Sequence, residues 1–190
     1  MKKNTSITLF GILILLVLGG ATSALGGYYS IGVGNGGTAK KKNFSLEAGS
    51  SSFKNKSLLI AVALTIIDHG DDNIPPETFP NACPNDDHTY VGKIWEGIEG
   101  GFVLKAGKRW NGSNTYFSLL GGVTQVNEIR LTQSNTTEKY YTQSSEKKLK
   151  GLGGISVGYF PEILDWKLKL TIQIDYDNRR GITGAIGWCW

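Results

Sequence analysis

Apolar and polar residues alternate strictly near the C-terminus of the chain. In residues 167–176 (KLKLTIQIDY) every second side chain is apolar, and those between are charged or polar. Successive side chains of a β-strand point to opposite faces, so this segment predicts a strand with one apolar and one polar face. Residues 182–190 alternate in the same way, with only small residues on the second face. Both segments therefore predict half-apolar strands.

A period of two recurs along the chain and gives eight predicted strands, at residues 27–34, 43–50, 57–67, 97–109, 115–131, 149–160, 166–177 and 182–190. The connections at 51–56, 110–114 and 161–165 are short. The alternate ones include two long polar segments, at 68–96 and 132–148, although the last, at 178–181, is short. An even strand count with short turns alternating with longer loops predicts an all-β fold, an eight-stranded antiparallel up-and-down transmembrane β-barrel.

The N-terminus has the order of a secretory signal peptide. Lys2 and Lys3 precede an apolar run at 7–18, and small residues follow up to Ala24. We expect cleavage after residue 24, leaving one domain at 25–190. The alternative is an uncleaved anchor, but the apolar run is shorter than the ~20 residues of a spanning helix.

The net charge of the chain excludes few classes of function and gives no indication of a nucleic-acid partner. The chain has 20 Lys and Arg against 16 Asp and Glu, and loss of the two signal lysines would leave a net charge of +2. Gly, Trp and Tyr are prominent, and the initiator is the sole Met. We expect no cofactor and no nucleic-acid partner.

Aromatic residues collect near the short turns and the two ends of the mature chain. Trp and Tyr favour the interface between lipid and water because their rings are apolar and their tips polar. We therefore predict an aromatic girdle at one end of the barrel, formed by Tyr28, Trp110, Tyr116, Tyr159, Trp166, Trp188 and Trp190.

The signal peptide, the alternating strands and the ending GITGAIGWCW together resemble the small bacterial outer-membrane proteins of the eight-stranded OmpA/OmpX-type barrel class. The resemblance implies an integral outer-membrane location. It also implies that the barrel-assembly machinery recognises the last strand, with Trp190 in place of the usual Phe. It implies no activity, because unrelated functions share one fold.

The polar face of the strands would fill the lumen. Its charged members suggest a salt-bridge network, because an eight-stranded barrel has room inside only for side chains. An ion path or proton relay along the same charges is the alternative. The predicted lumen residues are Glu47, Glu99, Lys105, Lys167, Lys169 and Asp175.

The segment 68–96 is rich in Asp, Asn and His, and it contains both histidines of the chain. Carboxylates suit Ca²⁺, and His with Asp suits Zn²⁺, but the spacing of an EF-hand is absent and a solvated loop is the more ordinary explanation. The candidate ligands are Asp68, His69, Asp71, Asp72, Asp86, Asp87 and His88.

Two further features concern the predicted topology. Cys83 would lie in an outer loop and Cys189 near the periplasmic end, too far apart for the ~7 Å between Cα atoms that a disulfide needs. Arg179, Arg180 and Lys40–Lys42 would form a basic outer rim that contacts lipopolysaccharide, or else ordinary surface turns.

The sequence as a whole favours a non-enzymatic, monomeric outer-membrane barrel with a structural or surface-interaction role. Its expected partners are outer-membrane lipid, lipopolysaccharide and the barrel-assembly machinery. Three alternatives remain open: a barrel enzyme that modifies outer-leaflet lipid, a small channel, and a soluble periplasmic barrel.

Overall fold

The structure is a computed structural model that describes residues 27–51, 58–69, 74–75, 77–80, 87–111, 113–160 and 169–189. The expected signal peptide lies outside the described residues. No helix among those described is long and apolar enough to cross a membrane. The strands are β1 (Gly27–Gly36), β2 (Lys41–Ser51), β3 (Leu58–Asp68), β4 (Thr78–Pro80), β5 (His88–Arg109), β6 (Thr115–Ser134), β7 (Tyr140–Tyr159), β8 (Lys169–Asp177) and β9 (Gly181–Cys189).

Eight of these strands form a closed antiparallel barrel. The order is β7-β6-β5-β3-β2-β1-β9-β8, and β8 pairs back to β7. Closure removes the open edges of the sheet, so backbone groups along the ring pair with neighbouring strands. The predicted eight-stranded antiparallel fold is therefore confirmed. The short β4 is an addition, and it pairs with β7 in parallel.

The described chain divides into two compact units. The barrel unit comprises residues up to 67, 100–124 and 151 onward, and the second unit comprises 68–99 and 125–150. Strands β5, β6 and β7 contribute residues to both units.

Three strands extend further than the alternation predicted. β5 begins at His88 rather than at 97, β6 ends at Ser134, and β7 begins at Tyr140 rather than at 149. The predicted loop at 132–148 is therefore mostly a hairpin with a turn at 135–139. Polar and charged residues occupy both faces of these extensions, so the period of two in apolar residues is lost although the backbone stays extended.

In the barrel unit the usual distribution of side chains is inverted. On β8 the polar side chains of Thr171, Gln173 and Asp175 are buried, whereas Ile172 and Ile174 are 53% and 58% exposed. Two small apolar clusters share the interior with these polar groups, one around Tyr28 and Phe160 and one around Val103 and Leu152. The apolar face of the strands therefore points outward.

The turns that follow β1 and β8 pack against each other. The backbone N–H of Thr38 donates to the carbonyl of Asn178 at 2.8 Å. Gly37 and Gly181 both have positive φ, and a Cβ on Gly181 would clash with the backbone nitrogen of Gly37. Only glycine allows the two turns to approach this closely.

Candidate functional site

A buried lysine lies at the centre of the polar interior of the barrel unit. Lys105 of β5 is 3% exposed, and its Nζ lies 2.7 Å from Glu47 Oε2 and 3.1 Å from Asp175 Oδ1. Nζ also donates to Gln173 Oε1 at 2.8 Å. Three strands, β2, β5 and β8, thus meet at one ammonium group. Burial of a charge is costly unless the charge is paired and hydrogen-bonded, and here it is both.

The hydrogen-bond network continues from two of the three acceptors of this lysine. The hydroxyl of Tyr28 donates to Glu47 Oε1 at 2.5 Å. Gln173 Nε2 donates to Ser30 Oγ at 3.3 Å, and Tyr28 and Ser30 both lie on β1. Each of these side chains is buried. The network therefore joins four strands through side chains as well as through the sheet.

A second buried cluster is formed by the turn after β8. The Asp177 carboxylate accepts hydrogen bonds from the backbone N–H groups of Arg179 at 2.9 Å and Arg180 at 2.7 Å, and also from Arg180 Nε. Arg180 Nη2 lies 3.5 Å from Asp175 Oδ2. Asp175 therefore links this turn to Lys105.

The fully charged side chains buried in the described part of the barrel unit balance. Lys105, Arg179 and Arg180 are matched in number by three carboxylates, those of Glu47, Asp175 and Asp177. Balanced and hydrogen-bonded charges are what a filled interior requires. Such an arrangement can hold strands together.

The structure brings together only part of the predicted lumen set. Glu47, Lys105 and Asp175 meet, and Lys169 is half-buried opposite Cys189 in the ladder of β8 and β9. Glu99 is buried, as predicted for a lumen residue, but it belongs to the second unit and contacts His69. Lys167 lies outside the described residues.

Five members of the interior network were not among the predicted lumen residues: Tyr28, Ser30, Gln173, Asp177 and Arg180. Strand parity was the available signal for four of them. Tyr28 and Ser30 alternate with the outward Tyr29 and Ile31 on β1. Gln173 and Asp177 share the inward parity of Asp175 on β8. Arg180 belongs to a turn, where strand parity does not apply. The prediction of a basic rim is wrong at Arg179 and Arg180, because both side chains are buried. Arg180 pairs with Asp177, and Arg179 Nη1 donates to Thr38 Oγ1 at 2.9 Å.

Some of the predicted girdle residues point outward, as expected. Trp110, Tyr159 and Trp188 are exposed, and the Trp188 ring lies 6.0 Å from that of Tyr29. Such rings suit a lipid–water interface. The predicted members Trp166 and Trp190 lie outside the described residues.

Tyr28 and Tyr116 do not belong to the outward girdle, and their placement there is wrong. They are 0% and 3% exposed, and both rings pack edge-on against Phe160 at centroid distances of 5.4 and 5.0 Å. The reason is strand parity. Each directly precedes an outward aromatic residue, Tyr29 or Phe117, and must therefore face the interior.

A buried histidine–carboxylate pair occupies the second unit. His69 Nε2 lies 2.7 Å from Glu99 Oε2, and both side chains are at most 1% exposed. The His69 ring meets the Trp95 ring edge-on at 5.5 Å, and its backbone N–H donates to the carbonyl of Gly97 at 2.9 Å. A hydrogen bond of this kind fixes the orientation of the imidazole.

The described members of the predicted metal set have other neighbours. The His88 ring packs on Tyr141 at 5.3 Å, and the backbone carbonyl of Asp87 accepts from Asn135 at 2.9 Å. Asp68 is exposed at the end of β3. Asp71, Asp72 and Asp86 lie outside the described residues. Among those described, no group of three potential ligands is placed to hold a metal ion.

The second unit also has a surface built from aromatic rings and cations. Arg130 lies over the Tyr90 ring at 5.0 Å, Lys139 over Phe79 at 5.2 Å, and Lys150 over Trp95 at 5.6 Å. These are cation–π distances.

Beside the Arg130–Tyr90 pair is an open cavity of about 390 Å³, lined by Tyr90, Lys93, Glu128, Arg130 and Glu146. Lys93 Nζ lies 2.8 Å from Glu128 Oε1. The hydrogen bond from Lys93 lowers the pKa of Glu128, and the same bond raises the pKa of Lys93. The hydrogen bond from Lys148 likewise lowers the pKa of Glu146.

Comparison with known proteins gives structural matches only. No protein-family model and no curated protein sequence matches the chain. Among solved structures it is similar to Ail, the attachment invasion locus protein of Yersinia pestis, solved in complex with the heparin analogue sucrose octasulfate. The identity is 12%, the TM-score is 0.37, and the match covers 86% of this chain and 92% of that chain.

A second similar structure is Neisserial surface protein A (NspA). It is 13% identical with a TM-score of 0.36, and the match again covers 86% of this chain and 92% of that chain. The fold of the present chain is established by its own strand order, a closed eight-stranded antiparallel ring.

Proposed function

We propose that the protein is an integral, non-enzymatic β-barrel of the bacterial outer membrane, with a structural or surface-interaction role. The supporting observation is the outward apolar face of the barrel unit. Ile172, Ile174, Leu104, Leu119 and Ile186 are each more than half exposed. A soluble monomer rarely presents so continuous an apolar surface, whereas hydrocarbon covers it without cost.

The interior supports the same proposal. A soluble barrel would place its apolar side chains inside and its charges outside. Here Lys105 and its carboxylate partners are inside, where side chains fill the lumen of an eight-stranded barrel. A membrane-spanning sheet must also close, because lipid offers no hydrogen bonds to the backbone.

The proposed partners follow from this location. Outer-membrane lipid covers the outward face, and lipopolysaccharide meets the outer turns, including the exposed Lys40 and Lys42. The barrel-assembly machinery recognises the C-terminal strand, and the folded barrel is a monomer. Removal of a signal peptide at residues 1–24 precedes assembly.

Membrane fractionation tests the proposal. The protein should remain with the outer membrane after a carbonate wash, and the folded form should migrate differently on a gel before and after heating. Release into the wash, or a single species at both temperatures, would refute an integral barrel.

An enzyme that modifies outer-leaflet lipid is the second candidate, and the His69–Glu99 pair favours it. A carboxylate that orients an imidazole is a recurring arrangement in acid–base catalysis. Outer-leaflet lipid from cells with the parent protein, with His69→Gln and without the protein should be compared by mass spectrometry. Identical lipid in all three would eliminate the enzyme.

A channel is the less favoured alternative, because paired side chains occupy the interior around Lys105. Planar-bilayer recording distinguishes a channel from a barrel that does not conduct ions. Absence of conductance supports the proposal, and discrete openings would favour the channel.

A further inference from the structure

We propose that the cavity beside Tyr90 is a binding site for a neutral saccharide unit of a surface glycan. This inference rests on the proposed function, since it assumes that the second unit meets material outside the cell. The cavity of about 390 Å³ lies within the size range of small-ligand sites.

The lining carries charges that cancel. Lys93 and Arg130 are opposed by Glu128 and Glu146. Lys93 already pairs with Glu128 at 2.8 Å, and Glu146 pairs with Lys148 at 2.7 Å. A strongly anionic or cationic ligand would have to displace these partners. A neutral ligand rich in hydroxyl groups would not.

The remaining hydrogen-bonding capacity of these groups fits hydroxyl groups. An ammonium has three donors and a guanidinium five, whereas an ionised carboxylate accepts at about four positions. The Glu128 side chain is 11% exposed, and its two oxygens face Lys93 and Lys150 at 2.8 and 3.6 Å. Glu128 is therefore a fixed, ionised acceptor, and Lys93, with more than half of its side chain exposed, is a donor at the rim.

Tyr90 supplies an apolar surface. Its side chain is half exposed, and the guanidinium of Arg130 lies 5.0 Å from the ring centroid. An amphipathic ring with a polar tip can cover the C–H face of a pyranose while its hydroxyl stays in water. The Arg130 contact holds the ring in place, so less side-chain freedom is lost on binding.

The test is binding of the full mature chain, folded in a detergent without a sugar headgroup, to an array of neutral and sulfated oligosaccharides. We expect binding to one or more neutral glycans, confirmed by calorimetry. The Kd should change less than about threefold between low and high salt, because no net charge is neutralised.

Two variants locate the site. Tyr90→Ala should weaken binding by about tenfold or more, a loss of about 1.4 kcal/mol, whereas Tyr90→Phe should bind within about threefold of the parent. Lys139→Ala is the matched control, because Lys139 makes a cation–π contact with Phe79 away from the cavity. Each variant is accepted only if it retains the gel shift of the folded barrel.

Three outcomes would overturn the inference: no glycan bound, binding only to sulfated glycans that is abolished by salt, or equal binding by Tyr90→Ala. If the protein still fractionates with the outer membrane, the proposed function survives that result. If the protein leaves the membrane on washing yet binds neutral glycans through Tyr90, the location fails and the site stands.

Discussion

Lys105 and Glu47 form an ion pair of 2.7 Å inside the barrel unit, with both side chains almost fully buried. Lys105 lies on β5 and Glu47 on β2, and β3 separates these strands in the sheet. No backbone hydrogen bond of a ladder can join strands that are not neighbours. The ion pair therefore couples two strands of the ring that share no ladder of backbone hydrogen bonds.

We predict that Lys105→Met destabilises the folded barrel by about 3–5 kcal/mol, because it leaves Glu47 buried without its cation and Asp175 paired only with Arg180 at 3.5 Å. Urea unfolding in lipid vesicles measures the change. Lys108→Met is the matched control, since Lys108 is an exposed lysine of the same strand.

A double variant tests the same prediction. Lys105→Met combined with Glu47→Gln removes one charge of each sign, leaves Asp175 paired with Arg180, and should recover most of the lost stability. If Lys105→Met alone unfolds at the urea concentration of the parent, the buried network contributes nothing.

We predict that Ile172→Arg destabilises the barrel in lipid vesicles by up to about 4 kcal/mol, because the side chain points outward and is 53% exposed. Ile172 lies beside Ile186 and Tyr159 on the neighbouring strands. Ile172→Met is the control, with an expected cost below about 1.5 kcal/mol. A neutral or stabilising Ile172→Arg would indicate that this face meets water.

We predict that the pKa of Glu128, followed by NMR, lies below its ordinary value of 4.5, because Lys93 donates a hydrogen bond to its carboxylate. Because the pKa of Glu128 is lower in the folded than in the unfolded state, its carboxylate stabilises the fold at pH values above the unfolded-state pKa. This stabilisation is lost as the pH falls through the folded-state pKa. The pKa of Lys93 is raised above 10.5, so its contribution is lost only as pH rises through that higher value.

The pair should therefore be insensitive to pH between about 5 and 9. Lys93→Gln should return the pKa of Glu128 toward 4.5, whereas Lys139→Gln should leave it unchanged. A Glu128 pKa at or above 4.5 in the parent protein would contradict the ion pair.

We predict that the folded protein contains no bond between Cys83 and Cys189. Cys189 is a buried free thiol that donates to the backbone carbonyl of Lys169 at 3.3 Å. Intact mass spectrometry without reductant, compared with a reduced sample, should give the same mass. A loss of two hydrogens in the unreduced sample would be evidence for the disulfide.

The alternation of apolar and polar residues was sufficient to predict the eight strands of the ring but not their full length. On β8 every residue from Leu170 to Tyr176 follows the period of two, because each faces either the interior or the outside. In the first part of β5 this contrast is absent. Tyr90 and Val91 are adjacent and both about half exposed, so no apolar face marks the strand.

The residues of the candidate site could also be predicted only in part from the sequence. Glu47, Lys105 and Asp175 could be predicted as inward residues from parity alone. Glu99 satisfied the same rule, but its partner is His69. Parity assigns a residue to a face, whereas the choice of partner depends on the height of that residue along the strand.

The sequence by itself determined the eight strands of the ring, their antiparallel order and the division of each strand into an apolar and a polar face. These follow from alternation between neighbouring residues and from the short turns, whereas the structure decided that the apolar face is outward. Only the tertiary structure decided that Lys105 joins Glu47 to Asp175, that Arg180 turns inward to Asp177, and that Tyr90, Lys93 and Glu128 border one cavity. Lys105, Glu47 and Asp175 are distant in the chain, and Glu128 is distant from Tyr90 and Lys93. Their contacts depend on the register and closure of the sheet, which the pattern of apolar and polar residues does not specify.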